Sequence, residues 1–235
     1  PALPPVTRDQ AAEAVRRGRM WLLKHQNADG SWSGKVGYKL NDNYMGREEH
    51  PHVGFTALAG LALMEPGDRE LEDQRRRAVA AAATWLMGVE GRGRYGYIAA
   101  HGTRLIEHAY ATQFLAELQL RRPDPAVEAL LWRANGLIVR SQNEEGGWRY
   151  QPFARDADLP FTVPPLEALL AAARAGIEVP KETLERGLRY VRRCGNENLK
   201  HGAFRYQDLA PHKTRFTFPC TAVGVFALGE SGMSD

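Results

Sequence analysis

A short phrase of glycine, any residue and an aromatic residue recurs four times along the chain, and this repeat constrains the fold more than any other feature. The four copies are Gly30-Ser31-Trp32, Gly93-Arg94-Tyr95, Gly146-Gly147-Trp148 and Gly202-Ala203-Phe204. They are separated by 63, 53 and 56 residues. Repeats of this kind are typical of stacked supersecondary units, none of which can bury its apolar face alone. The chain is therefore predicted to fold as an array of similar units.

Each phrase lies between two segments whose apolar residues have helical spacing. The segments after the phrases are richer in Ala, Gly and Leu and poorer in charge, so we expect them to form an inner layer. Their predicted bounds are 55–64, 105–120, 163–175 and 217–228. No run alternates with period two over a useful length, so no sheet is predicted. The pattern indicates an all-α fold of about four antiparallel helical hairpins, with inner and outer helix layers.

Composition limits the class of protein. The chain has 235 residues, and we expect one domain over residues 1–235. Its net charge is +3, but the only basic cluster is Arg75-Arg76-Arg77, so no nucleic-acid partner is predicted. No segment reaches the roughly 18 apolar residues of a membrane span. The chain starts with Pro1 rather than Met, which predicts a trimmed start or a fragment of a longer chain, and the compartment stays open.

The first repeat carries a more specific signal than the glycine phrase alone. It contains Arg17-Gly18, Trp21-Leu22, Gln26, Gly30 and Trp32 in order. This spacing resembles the QW motif of the triterpene cyclases, and every defined position is filled. The third repeat keeps Arg133, Gln142, Gly146 and Trp148, whereas the second and fourth repeats lack the glutamine.

The chain is thus similar to the squalene/hopene cyclase and prenyltransferase β-subunit superfamily. The resemblance implies an α/α toroid with a central cavity for an isoprenoid or other apolar substrate. Toroids of this type usually close with five or six hairpins, so the ring is expected to be partial or open. A homo-oligomer or additional hairpins would complete it.

The resemblance also implies catalytic residues. The cyclases carry an Asp-x-Asp-Asp motif before an inner helix, where a protonated aspartate starts the reaction. Asp156 and Asp158 match its first two aspartates, and Leu159 stands in place of the third. The alternative is that Asp158 only caps the following helix.

Histidine and aromatic residues on or near the inner helices are the predicted substrate-binding set. A cyclase would use aromatic faces to stabilise carbocations, whereas ordinary core packing is the alternative. The predicted residues are His52, Phe55, His108, Tyr110, Phe114, Phe161 and Phe218, with His50, His101, His212, Tyr44 and Phe216 as further candidates.

No cofactor and no metal are predicted. The zinc-binding prenyltransferases carry Asp-x-Cys, but Cys220 follows Phe218 at that spacing and Cys194 follows Arg192. The cysteines form no metal-binding spacing either.

Three functions remain open at this point. One is a terpene cyclase-like or prenyltransferase-like protein, active or degenerate. Another is a non-catalytic helical-repeat module that binds a peptide, lipid or glycan. The third is a polysaccharide lyase or hydrolase, in which Glu107 would have to face Asp156 and Asp158 across a cleft.

Overall fold

The computed structural model describes residues 6–35, 37–40, 43–46, 49–90, 96–99, 104–195, 202–210 and 213–230. The chain divides into two compact units, residues 1–88 and 89–235. The single domain over residues 1–235 stays a prediction.

The first unit contains three helices and two short strand pairs. Its elements in order are α1 Arg8–Lys24, β1 Ser33–Gly34, β2 Gly37–Leu40, β3 Asn43–Gly46, β4 His50–Pro51, α2 Val53–Met64, a 3₁₀ turn Arg69–Leu71 and α3 Glu72–Glu90, which runs across the unit boundary. Strands β1 and β4 pair antiparallel, as do β2 and β3. The sequence predicted no sheet, and these two short pairs depart from that prediction. They occupy the connection between the first repeat phrase and α2.

The second unit contains five helices within the described residues. They are α4 Leu105–Arg121, α5 Pro125–Arg140, α6 Leu159–Arg174, α7 Lys181–Cys194 and α8 Phe218–Glu230. Helix α6 packs against all four of the others. Helices α4, α6 and α8 form one row, and α5 and α7 flank it.

The predicted all-α fold is confirmed, while a toroidal ring remains a prediction. The predicted inner helices correspond to α2, α4, α6 and α8. The prediction for α6 was wrong at its start: the helix begins at Leu159 rather than Val163. It starts earlier because the Asp158 side chain accepts the Phe161 amide at 3.1 Å and caps the first turn.

The first repeat phrase forms a junction, which we define as the turn between an outer and an inner helix. Gly30 has φ +91°, and a Cβ there would lie 2.5 Å from the Ala81 carbonyl oxygen of α3. Glycine is therefore required by both backbone angle and space. The Trp32 amide donates to Thr56 Oγ1 at 3.0 Å, and its indole Nε1 donates to Leu22 O at 2.9 Å.

The third phrase forms the same junction. Gly146 has φ +90°, with the Arg186 carbonyl oxygen 2.7 Å from a Cβ built on it. The Trp148 amide donates to Thr162 Oγ1 at 3.1 Å, and its indole donates to Ile138 O at 2.8 Å. The first and third junctions therefore form the same two hydrogen bonds from their tryptophans.

The second junction is centred on Gly96. Gly93-Arg94-Tyr95 lies outside the described residues, but Gly96 has φ +81° and packs against Arg133 of the next outer helix. The Ile98 amide donates to His108 Nδ1 at 3.1 Å, as the tryptophan amides donate to threonine elsewhere. Ile98 therefore occupies the position that the tryptophan holds in the first and third junctions.

The fourth junction follows the same scheme, since the Phe204 amide donates to Thr221 Oγ1 at 3.1 Å. In all four junctions the acceptor is the fourth residue of the inner helix. The repeat is therefore a real structural unit that ties each turn to its inner helix.

Candidate functional site

Asp158 lies at the N-terminal end of α6 and is completely buried. Its Oδ1 accepts the Phe161 amide, so the capping role is real. Its Oδ2 lies 3.5 Å from Arg149 Nε, an ion-pair distance longer than a good hydrogen bond. The side chain thus caps a helix while holding a charge away from water.

Burial raises the pKa of Asp158 to about 6, because the charged form loses its hydration. The Phe161 amide, the Arg149 guanidinium and the Tyr206 hydroxyl oppose that shift without cancelling it. Asp158 therefore takes up a proton in a range where ordinary aspartates are ionised.

Two tyrosines lie beside this carboxyl group. The Tyr150 and Tyr206 hydroxyls are 3.1 Å apart, and the Tyr206 hydroxyl interacts with Asp158. Burial, the Tyr150 hydroxyl and the Asp158 charge raise the pKa of Tyr206. Both tyrosines are held by backbone as well: Tyr150 O accepts the Leu105 amide, and Tyr206 O accepts the Leu159 amide, both at 2.9 Å.

Three guanidinium groups stack on these tyrosines. Arg104 and Arg149 lie 4.9 and 5.0 Å from the centre of the Tyr150 ring, and Arg215 lies 4.3 Å from that of Tyr206. We call Arg104, Arg149, Arg215, Tyr150 and Tyr206 the arginine–tyrosine cluster. It joins the N-terminal ends of α4 and α6 to the segment that leads into α8.

The two predicted catalytic aspartates meet at one arginine but differ in environment. Asp156 forms an ion pair with Arg149, and its side chain is 55% exposed. The Asp158 side chain is fully buried beside Tyr150 and Tyr206. The pair thus shares a partner, while only Asp158 has the burial that an acid with a raised pKa requires.

Two of the predicted substrate-binding residues flank this region. Phe161 is half-buried, and its ring meets the Tyr150 ring edge-on at 4.4 Å. Phe218 opens α8 and is 86% exposed, three residues after Arg215. Phe161 therefore contacts the cluster, and Phe218 follows it closely along the chain.

His52 and Phe55 lie in the first unit. His52 is buried and caps α2, and its ring is 4.4 Å from that of Phe55. His52 holds the helix position that Asp158 holds in the third repeat. Phe55 borders a groove of about 740 Å³ that Trp21, Trp32 and Leu58 also line.

The remaining predicted residues have packing roles. His108 is fully buried, accepts the Ile98 amide at Nδ1 and lies 3.1 Å from Ala134 O through Nε2. Burial lowers its pKa to about 4. Both ring nitrogens are therefore occupied, which corrects its assignment to substrate. Phe114 is also fully buried, and Tyr110 is half-buried with its pKa raised by burial.

The other candidates contribute little. His50 and Phe216 are half-buried, and Glu107 is buried in α4. His101 and His212 lie outside the described residues, as does the side chain of Tyr44.

The cluster residues themselves were missed at the sequence level. A signal was present, because aromatic-Arg-Tyr recurs as Trp148-Arg149-Tyr150 and Phe204-Arg205-Tyr206. In each case the tyrosine carbonyl accepts the first amide of the preceding repeat's inner helix. A tyrosine at this position therefore reaches the N-terminal end of a neighbouring inner helix.

Neither a metal site nor a membrane span is found among the described residues: no three His, Cys, Asp or Glu side chains gather, and no helix is long and apolar enough to cross a bilayer. No protein-family model matches the chain, and a search of curated proteins gives no match either.

Proposed function

We propose that this protein binds an amphiphilic small molecule, an isoprenoid or another apolar chain with an anionic head group. The observation that carries the proposal is the stacking of three guanidinium groups on Tyr150 and Tyr206. Asp156 and Asp158 both lie within ion-pair distance of Arg149, and the Arg215 side chain is exposed. Such a cluster favours phosphate or carboxylate.

Apolar surface next to the cluster suits the rest of the ligand. The exposed ring of Phe218 lies at the N-terminal end of α8, and the half-buried ring of Phe161 lies at the N-terminal end of α6. Binding sites commonly combine apolar walls with a few polar groups that fix orientation. Here the arginines would hold the head group and the phenylalanines the chain.

Carbocation chemistry is the less favoured reading of the same site. A developing cation beside three guanidinium groups would be repelled, because like charges raise each other's energy. Asp158 has no exposed surface from which to protonate an alkene. The cluster therefore supports binding more than it supports cyclisation.

Acid catalysis through Tyr206 is a second candidate, favoured by the buried carboxyl group with a pKa of about 6. A protonated Asp158 would donate its proton to the Tyr206 oxygen as the Tyr206 hydroxyl, 3.1 Å from that of Tyr150, gives its own proton to the substrate. Asp158→Asn would then abolish turnover of a polyprene such as squalene without lowering the melting temperature. Turnover that survives this substitution eliminates the candidate.

Calorimetry with two probes tests the binding proposal. We expect geranylgeranyl phosphate to bind and geranylgeraniol to bind at least tenfold more weakly, since each charged hydrogen bond contributes about 1.5–3 kcal/mol. Affinity for the phosphate should also fall as salt is raised.

Matched arginine variants locate the head group. Arg215→Gln and Arg104→Gln should each weaken binding of geranylgeranyl phosphate about tenfold or more. Arg122→Gln is the control, because Arg122 is exposed at the opposite end of α4. Equal binding of the phosphate and the alcohol, or equal loss in all three variants, would contradict the proposal.

A further inference from the structure

Helix α8 exposes a face made only of apolar residues. Counted from the first residue of the helix, positions 1, 5 and 8 are Phe218, Ala222 and Val225, and all three are exposed. No residue of α8 before Glu230 carries a charge. We call positions 1, 5 and 8 of an inner helix its leading face.

On α6 the leading face is buried. Its residues are Leu159, Val163 and Leu166, which are at most 4% exposed. They belong to one apolar cluster with Cys220 and Ala227 of α8, and Val223 packs against the same cluster. Those three residues are positions 3, 6 and 10 of α8, which we call the trailing face. Helices α6 and α8 pack against each other, and the leading face of α6 and the trailing face of α8 both lie in this cluster.

Helix α2 exposes its own trailing face. Its positions 3, 6 and 10 are Phe55, Leu58 and Ala62, and all three are exposed. They border the groove of about 740 Å³, whose wall continues over Trp21 and Trp32. Of the corresponding residues of α6, Pro164 and Ala168 are buried and Phe161 is half-buried, with α4 as the preceding helix in the row.

We propose that the leading face of α8 docks on the trailing face of α2 in a second copy of this chain. The contact continues the packing that already joins α6 to α8, with the same helix positions on each side. Neither face carries a charged residue, and Lys24 and Glu49 border the groove. The contact between α8 and the α2 groove would therefore use the same helix positions that lie between α6 and α8 in the second unit.

The contact is heterologous, because each copy offers two different faces. We expect the molar mass in solution to rise with concentration to two or more chains. Phe218 belongs both to the leading face of α8 and to the apolar surface proposed for the ligand, whereas Leu58 and Val225 belong neither to that surface nor to the arginine–tyrosine cluster. Variants at Leu58 and Val225 therefore test association separately from ligand binding.

Sedimentation and light scattering with charged variants test the proposal. Val225→Glu and Leu58→Glu should each weaken association roughly 30-fold or more, as expected for a residue at the centre of an interface. Both side chains are exposed in the single chain, so the fold should survive, and circular dichroism checks this. Trp132→Glu, at an even more exposed apolar site on α5, should associate like the unchanged protein.

Mixing the two variants gives the decisive readout. The Leu58→Glu chain keeps its α8 face and the Val225→Glu chain keeps its α2 face, so the mixture should form a one-to-one heterodimer and nothing larger. A protein that is monomeric at every concentration overturns the proposal. Association lost in Val225→Glu but kept in Leu58→Glu also overturns it, since that result indicates contact between two α8 helices.

Discussion

The first and third junctions share one set of hydrogen bonds but lead to helices in different surroundings. Gln26 Nε2 donates to Gly30 O and Ala78 O, both at 2.9 Å, and Gln142 Nε2 donates to Gly146 O and Thr183 O at 2.8 and 2.9 Å. Yet one helix is capped by His52 and the other by Asp158. The motif therefore specifies a structural joint, and the residues at the cap set the local chemistry.

The largest expected effect comes from removing either tryptophan. Trp32→Ala and Trp148→Ala should each cost about 3–5 kcal/mol of unfolding free energy, because both side chains are buried and both indoles hydrogen-bond a carbonyl. Urea unfolding measures the loss. If Trp32→Ala costs less than about 1 kcal/mol while Trp148→Ala costs several, the two junctions are not equivalent.

The second junction should make the protein sensitive to acid, because His108 replaces the threonine of the other junctions. Its folded pKa of about 4 lies below the ordinary value of 6.5, so the unfolded chain binds the proton first as pH falls. Stability should drop by roughly 3 kcal/mol between pH 6.5 and 4. His108→Gln should remove that slope; a slope that persists places the acid sensitivity elsewhere.

The cap of the third junction should act in the opposite direction. The folded pKa of Asp158 is raised from 3.8 to about 6, so its contribution is complete below pH 4 and is lost as pH rises to 6. The loss should be about 2–3 kcal/mol. Asp158→Asn keeps a capping residue and should abolish this pH-dependent loss of stability. His52→Asn changes the matching cap of α2 and should leave the loss unchanged.

The smallest effects should come from the junction glutamines. Gln26→Ala and Gln142→Ala each remove two hydrogen bonds to backbone carbonyls, for a cost of about 1–2 kcal/mol. The two losses should agree within about 0.5 kcal/mol if the joints are equivalent. Thermal unfolding of the pair measures this, and a large difference would limit the comparison to geometry alone.

Much of the fold could be predicted because the repeat is local. Apolar spacing located all four inner helices, and the glycine phrase located three of the four junctions. The junction at Gly96 was not predicted, because Ile98 lies where an aromatic residue was expected and because Gly93-x-Tyr95 matched the pattern better. The start of α6 was missed because Thr162 before Pro164 and Pro165 suggested a later start, whereas the Asp158 cap sets it.

The candidate site could be predicted only in part. Asp156 and Asp158 were found from their motif, but burial of one and exposure of the other depend on tertiary packing. Tyr206 comes from the next repeat, 48 residues after Asp158, and no local pattern links the two. Residues brought together across repeats are visible only once the junctions have placed the helices.

The titration of the Asp158 carboxyl group, followed by carbon-13 NMR, tests the account most directly. Its burial beneath Tyr206 predicts a pKa of about 6. Geranylgeranyl phosphate should raise that pKa further, because an anion on the neighbouring arginines disfavours a second negative charge. A pKa near 4 that the phosphate leaves unchanged would contradict both the buried acid and the anion site above it.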